Sequence, residues 1–66
     1  MLDKDGLYSV DLPYACYGIV IENGVVIEAA NIAGWMTGKR AEDVERWLIK
    51  KNAKMIGPLE HHLPNS

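Results

Sequence analysis

From Tyr17 to Ala30 the chain is apolar on both sides of one polar break, Asn23-Gly24. Asn-Gly between two apolar runs is the strongest short-range signal for a β-hairpin. A type I′ turn needs positive φ at both central residues, which Asn tolerates and Gly adopts freely. A two-residue loop then predicts the register: Glu22 opposite Val25, Ile21 opposite Val26, Val20 opposite Ile27, Ile19 opposite Glu28, and so on to Tyr17 opposite Ala30. Side chains alternate faces along a strand. One face should carry Gly18, Val20, Val25, Ile27 and Ala29, with Glu22 near the turn. The other should carry Tyr17, Ile19, Ile21, Val26 and Ala30, with Glu28 in its middle. Both faces are mostly apolar, whereas a hairpin with one wet face alternates apolar with polar. The pattern therefore asks for cover on two sides.

The flanking segments predict the remaining elements. Leu7 to Leu12 alternates, with Tyr8, Val10 and Leu12 on one face. It reads as a half-buried edge strand, where Asp11 is tolerated, and Pro13 ends it. The simplest topology is a three-stranded antiparallel meander with Tyr17–Glu22 central. Asn31 is a candidate cap for a short helix, Ile32 to Thr37, closed by Gly38. Gly34 inside so short a helix costs about 1 kcal/mol against Ala, which points to close packing there. The main helix is expected from about Arg40 to Lys51. Ala41, Val44, Trp47 and Leu48 form its core stripe, Ile49 points away, and Glu42–Arg46 is a favourable i,i+4 pair. Acidic residues sit in its first turns and Lys50 and Lys51 in its last, as the helix dipole favours. Asn52 is a left-handed stop, Ala53 to Ile56 a brief fourth strand, and Gly57-Pro58 the end of regular structure. Met1 to Gly6 should be frayed.

These elements make an α+β fold: a three- to four-stranded antiparallel meander packed by one main helix and a short one. Residues 1–58 form a single domain and 59–66 a flexible tail. A chain of 66 residues buries only roughly 60% of its unfolded surface and is marginal alone. Cys16 is the sole cysteine, so no intrachain disulfide can help, and no Cys/His cluster has zinc spacing. Oligomerisation is the expected supplement. The two-sided hairpin supplies an interface hypothesis of Tyr17, Ile19, Ile21, Val26 and Glu28. A carboxylate there must be paired, protonated or at a rim. An exposed rim position and a salt bridge to the partner's cation, such as Arg40, are the main readings of Glu28.

Charge changes the picture modestly. The net charge of −2 implies no general attraction to nucleic acid or anionic membrane. Residues 1–38 balance at −4 and residues 39–66 at +2, so copies could attract one another within the screening length of about 8 Å. No leader or membrane-length apolar run is evident, and with a free cysteine this favours the cytoplasm, host cytoplasm if the chain is viral. Cys16 reads as a small buried hydrophobe, because the only histidines, His61 and His62, lie in the tail, where they make at best a weak metal site. Thr37-Gly38-Lys39-Arg40 precedes a helix, whose free N–H groups and two cations suit a phosphate, although the string is far from a P-loop. Trp35 and Tyr14 are the stacking candidates for such a ligand. Arg46, Lys50 and Lys54 extend a basic face over residues 39–54 that suits nucleic acid less well, since Trp47 belongs to the core stripe.

The runs Ala15-Cys16-Tyr17-Gly18-Ile19-Val20, Gly24-Val25-Val26, Ala29-Ala30, Ile32-Ala33-Gly34-Trp35-Met36-Thr37-Gly38-Lys39 and Val44, Trp47-Leu48 resemble a family of very short, uncharacterised proteins common in bacteriophage and prophage genomes. The likeness covers about residues 8–56. Asn31 stands where Pro is expected and Asn52 where Gly is expected. The resemblance implies a viral origin and carries no catalytic residues.

The first functional expectation is a non-enzymatic, cofactor-free homo-oligomeric accessory protein. It would inhibit a host factor, such as an antiviral defence component, by binding a protein or sequestering a nucleotide signal. In the nucleotide case Lys39 and Arg40 would hold phosphate and Trp35 or Tyr14 would stack. The alternatives are a nucleic-acid-binding accessory protein using the basic face, or a structural assembly protein.

Overall fold

The computed structural model describes Leu2 and residues 4–59. Four strands, β1 (Gly6–Leu12), β2 (Ala15–Glu22), β3 (Val25–Ala29) and β4 (Lys54–Leu59), form one antiparallel sheet in the order β3-β2-β1-β4. A 3-10 helix, Asn31–Met36, and the main helix α1, Ala41–Lys50, lie between β3 and β4 in the chain. The α+β class and the antiparallel sheet agree with the sequence pattern. Leu59, the first residue of the expected tail, is the last residue of β4. His61 and His62, with the rest of the expected tail from Glu60, lie outside the described residues.

The hairpin turn forms as its residues dictate, with Asn23 at φ 53° and Gly24 at φ 75°. Glu22 pairs with Val25 and Ile21 with Val26. There the expected register ends. Val20 pairs with Glu28 and Ile19 with Ala29, so Ile27 is an extra residue bulged from β3. A bulge of one residue flips every later side chain to the opposite face. It carries Glu28 off the face of Ile19, Ile21 and Val26 and leaves it exposed. An unbroken ladder would have buried a carboxylate among aliphatic side chains, which costs far more than one disrupted pair.

Paired residues share a face, so the ladders sort the sheet into rows. On one side lie Met55–Val10–Tyr17, Tyr8–Ile19–Ala29 and Gly6–Ile21–Val26. This side holds the core: Tyr8, Val10, Leu12, Ile19, Ile21 and Val26 are buried together with Ala33 and Met36 of the 3-10 helix and Ala41, Val44 and Leu48 of α1. The other side carries the rows Leu59–Leu7–Val20–Glu28, Ile56–Ser9–Gly18 and Lys54–Asp11–Cys16, all exposed or half-buried. Cys16 is thus exposed, not a buried hydrophobe, because strand alternation puts it on the open face.

The edge position expected for β1 does not hold: β1 is interior, because β4 pairs along it. β4 continues through Gly57-Pro58, joined by a cis peptide bond. It carries one residue more than β1 between the pairs Leu7–Leu59 and Ser9–Ile56. Gly57 makes this close approach possible. Its φ is 152°, and a Cβ there would fall 2.8 Å from the Leu7 carbonyl oxygen and 2.8 Å from Tyr8 Cδ2. Gly34, by contrast, has nothing within 4 Å of where a methyl group would stand, so the close packing expected there is absent.

Of the segment expected to fray, Leu2, Lys4 and Asp5 are tied down. Leu2 is in the core, and its N–H donates to Glu45 Oε1 at 2.8 Å. The Tyr8 hydroxyl donates to the Lys4 carbonyl at 2.8 Å, and the Asn23 N–H donates to Asp5 Oδ1 at 2.9 Å. The short helix begins at Asn31 without a side-chain cap. α1 runs as its stripe predicts, with Ile49 exposed and Asn52 at φ 61° just beyond its end. Arg46 pairs with Asp43 at 3.2 Å in place of the expected Glu42.

Candidate functional site

The residues expected to bind a ligand fall into two places. Trp35 and Tyr14 line one groove of about 320 Å³, together with Leu12, Tyr17, Ile32 and Trp47. Arg40 lines a different hollow, beside Leu2, Asn23, Gly24 and Glu42. Lys39 lines neither of these hollows.

The connector Thr37–Arg40 is shaped by backbone pairing. Gly38 donates to the Val26 carbonyl at 2.7 Å, Val26 donates to the Lys39 carbonyl at 2.9 Å, and Ala41 donates to the Gly24 carbonyl at 2.7 Å. The connector therefore runs along the outer edge of β3, with Val25 and Arg40 as bridge partners. Thr37 and Lys39 donate to the Gly34 and Met36 carbonyls, and Asp43 and Val44 to that of Arg40. A phosphate site here needs free amides pointing outward. Those of Thr37, Gly38, Lys39 and Ala41 are engaged. The Arg40 guanidinium meets the Glu42 carboxylate, and Asp43 adds a second negative charge in the first turn of α1. With Arg40 and Arg46 both paired to acidic neighbours, the basic 39–54 face is partly neutralised as well.

The interface hypothesis also moves. Ile19, Ile21 and Val26 are buried within one copy under the chain's own helices, so they present no surface to a second copy. Tyr17 is half-buried at the edge of that core, and Glu28 lies on the opposite face.

The aromatic groove has a local explanation. Pro13 ends β1, and the turn at Pro13-Tyr14 leaves Tyr14 69% exposed. Tyr17, three residues later, is the outermost core-face residue of β2 beyond Ala15. From the other layer, the 3-10 helix buries Ala33 and Met36, which turns Ile32 (65% exposed) and Trp35 (48% exposed) outward. Trp47 sits on the flank of the α1 stripe, half-buried. Trp35 and Trp47 meet edge to face, with centroids 4.9 Å apart and planes at 70°. Such a contact is worth about 0.5–1.5 kcal/mol beyond area burial. Lys51, one turn after Trp47, holds its Nζ 5.5 Å from the Trp47 centroid. The Tyr17 hydroxyl donates weakly to Met36 Sδ at 3.9 Å. Burial, and secondly its neighbour Tyr14, pushes the Tyr17 phenol above its ordinary value of 10, so it stays protonated at neutral pH.

Four of the five aromatic residues of the chain line this groove; the fifth, Tyr8, is in the core. Sequence reasoning names Tyr14 and Trp35 but assigns Tyr17 to an interface and Trp47 to the core, and overlooks Ile32 and the position of Lys51 over Trp47. The Trp47–Lys51 spacing of one helical turn is the available signal. No protein-family profile matches the chain, and no curated protein or solved structure is significantly similar to it.

Proposed function

We propose that this chain is a small, non-enzymatic binding module that holds a segment of a partner protein in the aromatic groove. The clustering of Tyr14, Tyr17, Trp35 and Trp47 around one concavity carries this reading. Aromatic residues are enriched where proteins bind one another, because each offers a large contact area with little rotamer entropy to lose. Large exposed side chains grouped in one place mark an interaction surface, whereas single ones scattered over a surface do not. Tyr14, Ile32 and Trp35 are three such side chains in one groove. Taken with the likeness to short bacteriophage proteins, the partner in this proposal is a host factor, an antiviral defence component being the leading candidate class.

A selection from a random-peptide display library tests the reading. The bait is the intact protein, counter-screened against Trp35→Ala and Tyr14→Ala. Enrichment of peptides that both substitutions release is expected. Peptides retained equally by wild type and both variants would place binding elsewhere and remove the groove from the proposal. The nucleotide version of the first expectation gains little from the geometry. Its stacking residues and its phosphate residues line different hollows, and the connector amides are engaged.

A further inference from the structure

The walls of the groove also bear on what kind of segment enters it. Resting on the reading above, we propose that the segment is a proline-rich stretch in polyproline II form, with an acidic residue beside the prolines.

Shape comes first. Trp35 and Trp47 stand at 70° to one another, so they form an angular notch, not a pair of parallel plates. Two parallel rings sandwich a flat base; a notch takes a puckered wedge. A prolyl ring is such a wedge, and its C–H edges carry the slight positive charge that aromatic faces attract. Aromatic-lined grooves that read proline-rich segments use this complementarity.

Hydrogen bonding points the same way. Among the described residues the side chains of Tyr14, Trp35 and Trp47 make no hydrogen bond. No buried side-chain nitrogen or oxygen there lacks a partner, so the indole N–H of half-buried Trp47 reaches solvent. An indole nitrogen only donates and a tyrosine hydroxyl can, so the unbonded Tyr14 hydroxyl and the indoles are the donors, whereas the Tyr17 proton is already given to Met36 Sδ. The groove therefore offers donors. A polyproline II strand has no internal hydrogen bonds, and its carbonyls are free to accept. Its prolines bring no N–H that would be left unmet.

Charge separates this ligand from another that aromatic surfaces favour. An alkylammonium group binds over aromatic faces, but the Lys51 ammonium is already over Trp47 and repels a second cation. Lys54 lines the adjoining hollow, which shares Leu12 with the groove and also holds Asp11. Because Asp11 and Lys54 sit opposite one another on β1 and β4, they offset each other. Lys51 does not itself line the groove, but its ammonium over the Trp47 wall is left as the charge that a ligand carboxylate beside the prolines meets. Entropy favours the same choice. A groove of about 320 Å³ is near the small end for ligand sites, and a pre-extended segment loses little freedom on binding.

The protein's two tryptophans both line the groove, so their fluorescence reads binding directly. The probes are an oligoproline peptide ending in glutamates, the same peptide ending in lysines, and a mononucleotide. Saturable quenching by the glutamate peptide is expected, weakened about tenfold or more by Tyr14→Ala, as for an aromatic hot spot. Trp35→Ala, read by calorimetry, should lose as much. Lys51→Glu should reverse the preference between the two peptides. Tyr14, Trp35 and Lys51 are exposed, and circular dichroism establishes that the variants fold. Equal binding of both peptides by wild type would overturn the acidic requirement. If neither peptide binds while the display selection yields groove-dependent peptides without proline, this inference falls and the binding-module reading stands. If the selection yields no groove-dependent peptide, both fall. Tyr14- and Trp35-dependent binding of the nucleotide alone would overturn both in favour of a stacking ligand.

Discussion

On the core face of the sheet, Tyr8, Ile19, Ile21 and Val26 lie beneath Met36, Val44 and Leu48, and all seven are almost wholly excluded from water. On the open face, Leu7, Val20 and Leu59 share a row with Glu28, and Ile56 shares one with Ser9 and Gly18. The same strands supply both faces, and aliphatic residues occur on each. What differs is cover. A short chain with one main helix can shelter one side of a sheet, and the bulge at Ile27 decides that Glu28 goes to the other. Hairpin pattern alone therefore does not rank two apolar faces; the ranking comes from the helix stripe that packs on one of them.

Truncating one side chain on each face puts this contrast under the heaviest strain. Leu48→Ala removes a fully buried side chain and should cost about 2–5 kcal/mol in urea or thermal unfolding. Ile56→Ala removes one that is 57% exposed and should cost less than about 1 kcal/mol. The pair also tests self-association, the supplement expected for a chain this short. If a second copy covers the open face, the Ile56→Ala cost becomes large and grows with protein concentration, and light scattering shows mass falling on dilution. A cost that is small and independent of concentration means the open face works wet.

Much of the fold is legible in the sequence, and the reasons are local. Asn23-Gly24 has one good conformation, so the turn and its first two pairs can be read from two residues. The α1 stripe Ala41, Val44, Leu48 needs only helical spacing. Beyond local misses such as the absent Asn31 cap and the Arg46–Asp43 pair, the larger failures are non-local. Ile27 looks like any strand residue, and its bulge follows from where the helices place the core. β1 is interior because β4 returns to it, and nothing in Leu7–Leu12 records that return. Gly57-Pro58 reads as a stop by rule but passes beside Leu7 and Tyr8 at a distance only glycine permits. The binding residues follow the same division. Tyr14 and Trp35 can be named as exposed aromatics, whereas their grouping with Tyr17 and Trp47 depends on how two layers meet.

Two glycine substitutions repeat the test with smaller energies. Gly57→Ala would place a methyl group 2.8 Å from the Leu7 carbonyl at a φ of 152°. It should destabilise by about 1–3 kcal/mol, the range for a residue forced into a sparsely populated conformation. Gly34→Ala meets nothing within 4 Å and keeps an ordinary φ. It should stabilise by about 0.4–1 kcal/mol, chiefly by restricting the unfolded chain. Urea denaturation of both variants checks the pair. Equal effects would mean that the close β1–β4 contact at Gly57 is not what holds β4 in place.

The mildest consequence lies where the core face runs out into the groove. Burial raises the Tyr17 phenol above its ordinary value of 10. Above pH 10 the unfolded chain therefore releases this proton before the folded chain does. The folded state binds more protons in that window, so stability falls as pH rises. The contribution is fully present below pH 10 and is lost as pH climbs through the raised value. The free energy of unfolding measured against pH should thus fall more steeply in wild type than in Tyr17→Phe above pH 10, and the two should run parallel below it. The difference titration of phenolate absorbance, wild type minus Tyr17→Phe, should have its midpoint above 10. A groove ligand that covers Tyr17 would deepen its burial and move that midpoint further up. A midpoint that stays fixed when the groove is filled would place the ligand on the Trp35 side alone, beyond reach of the sheet.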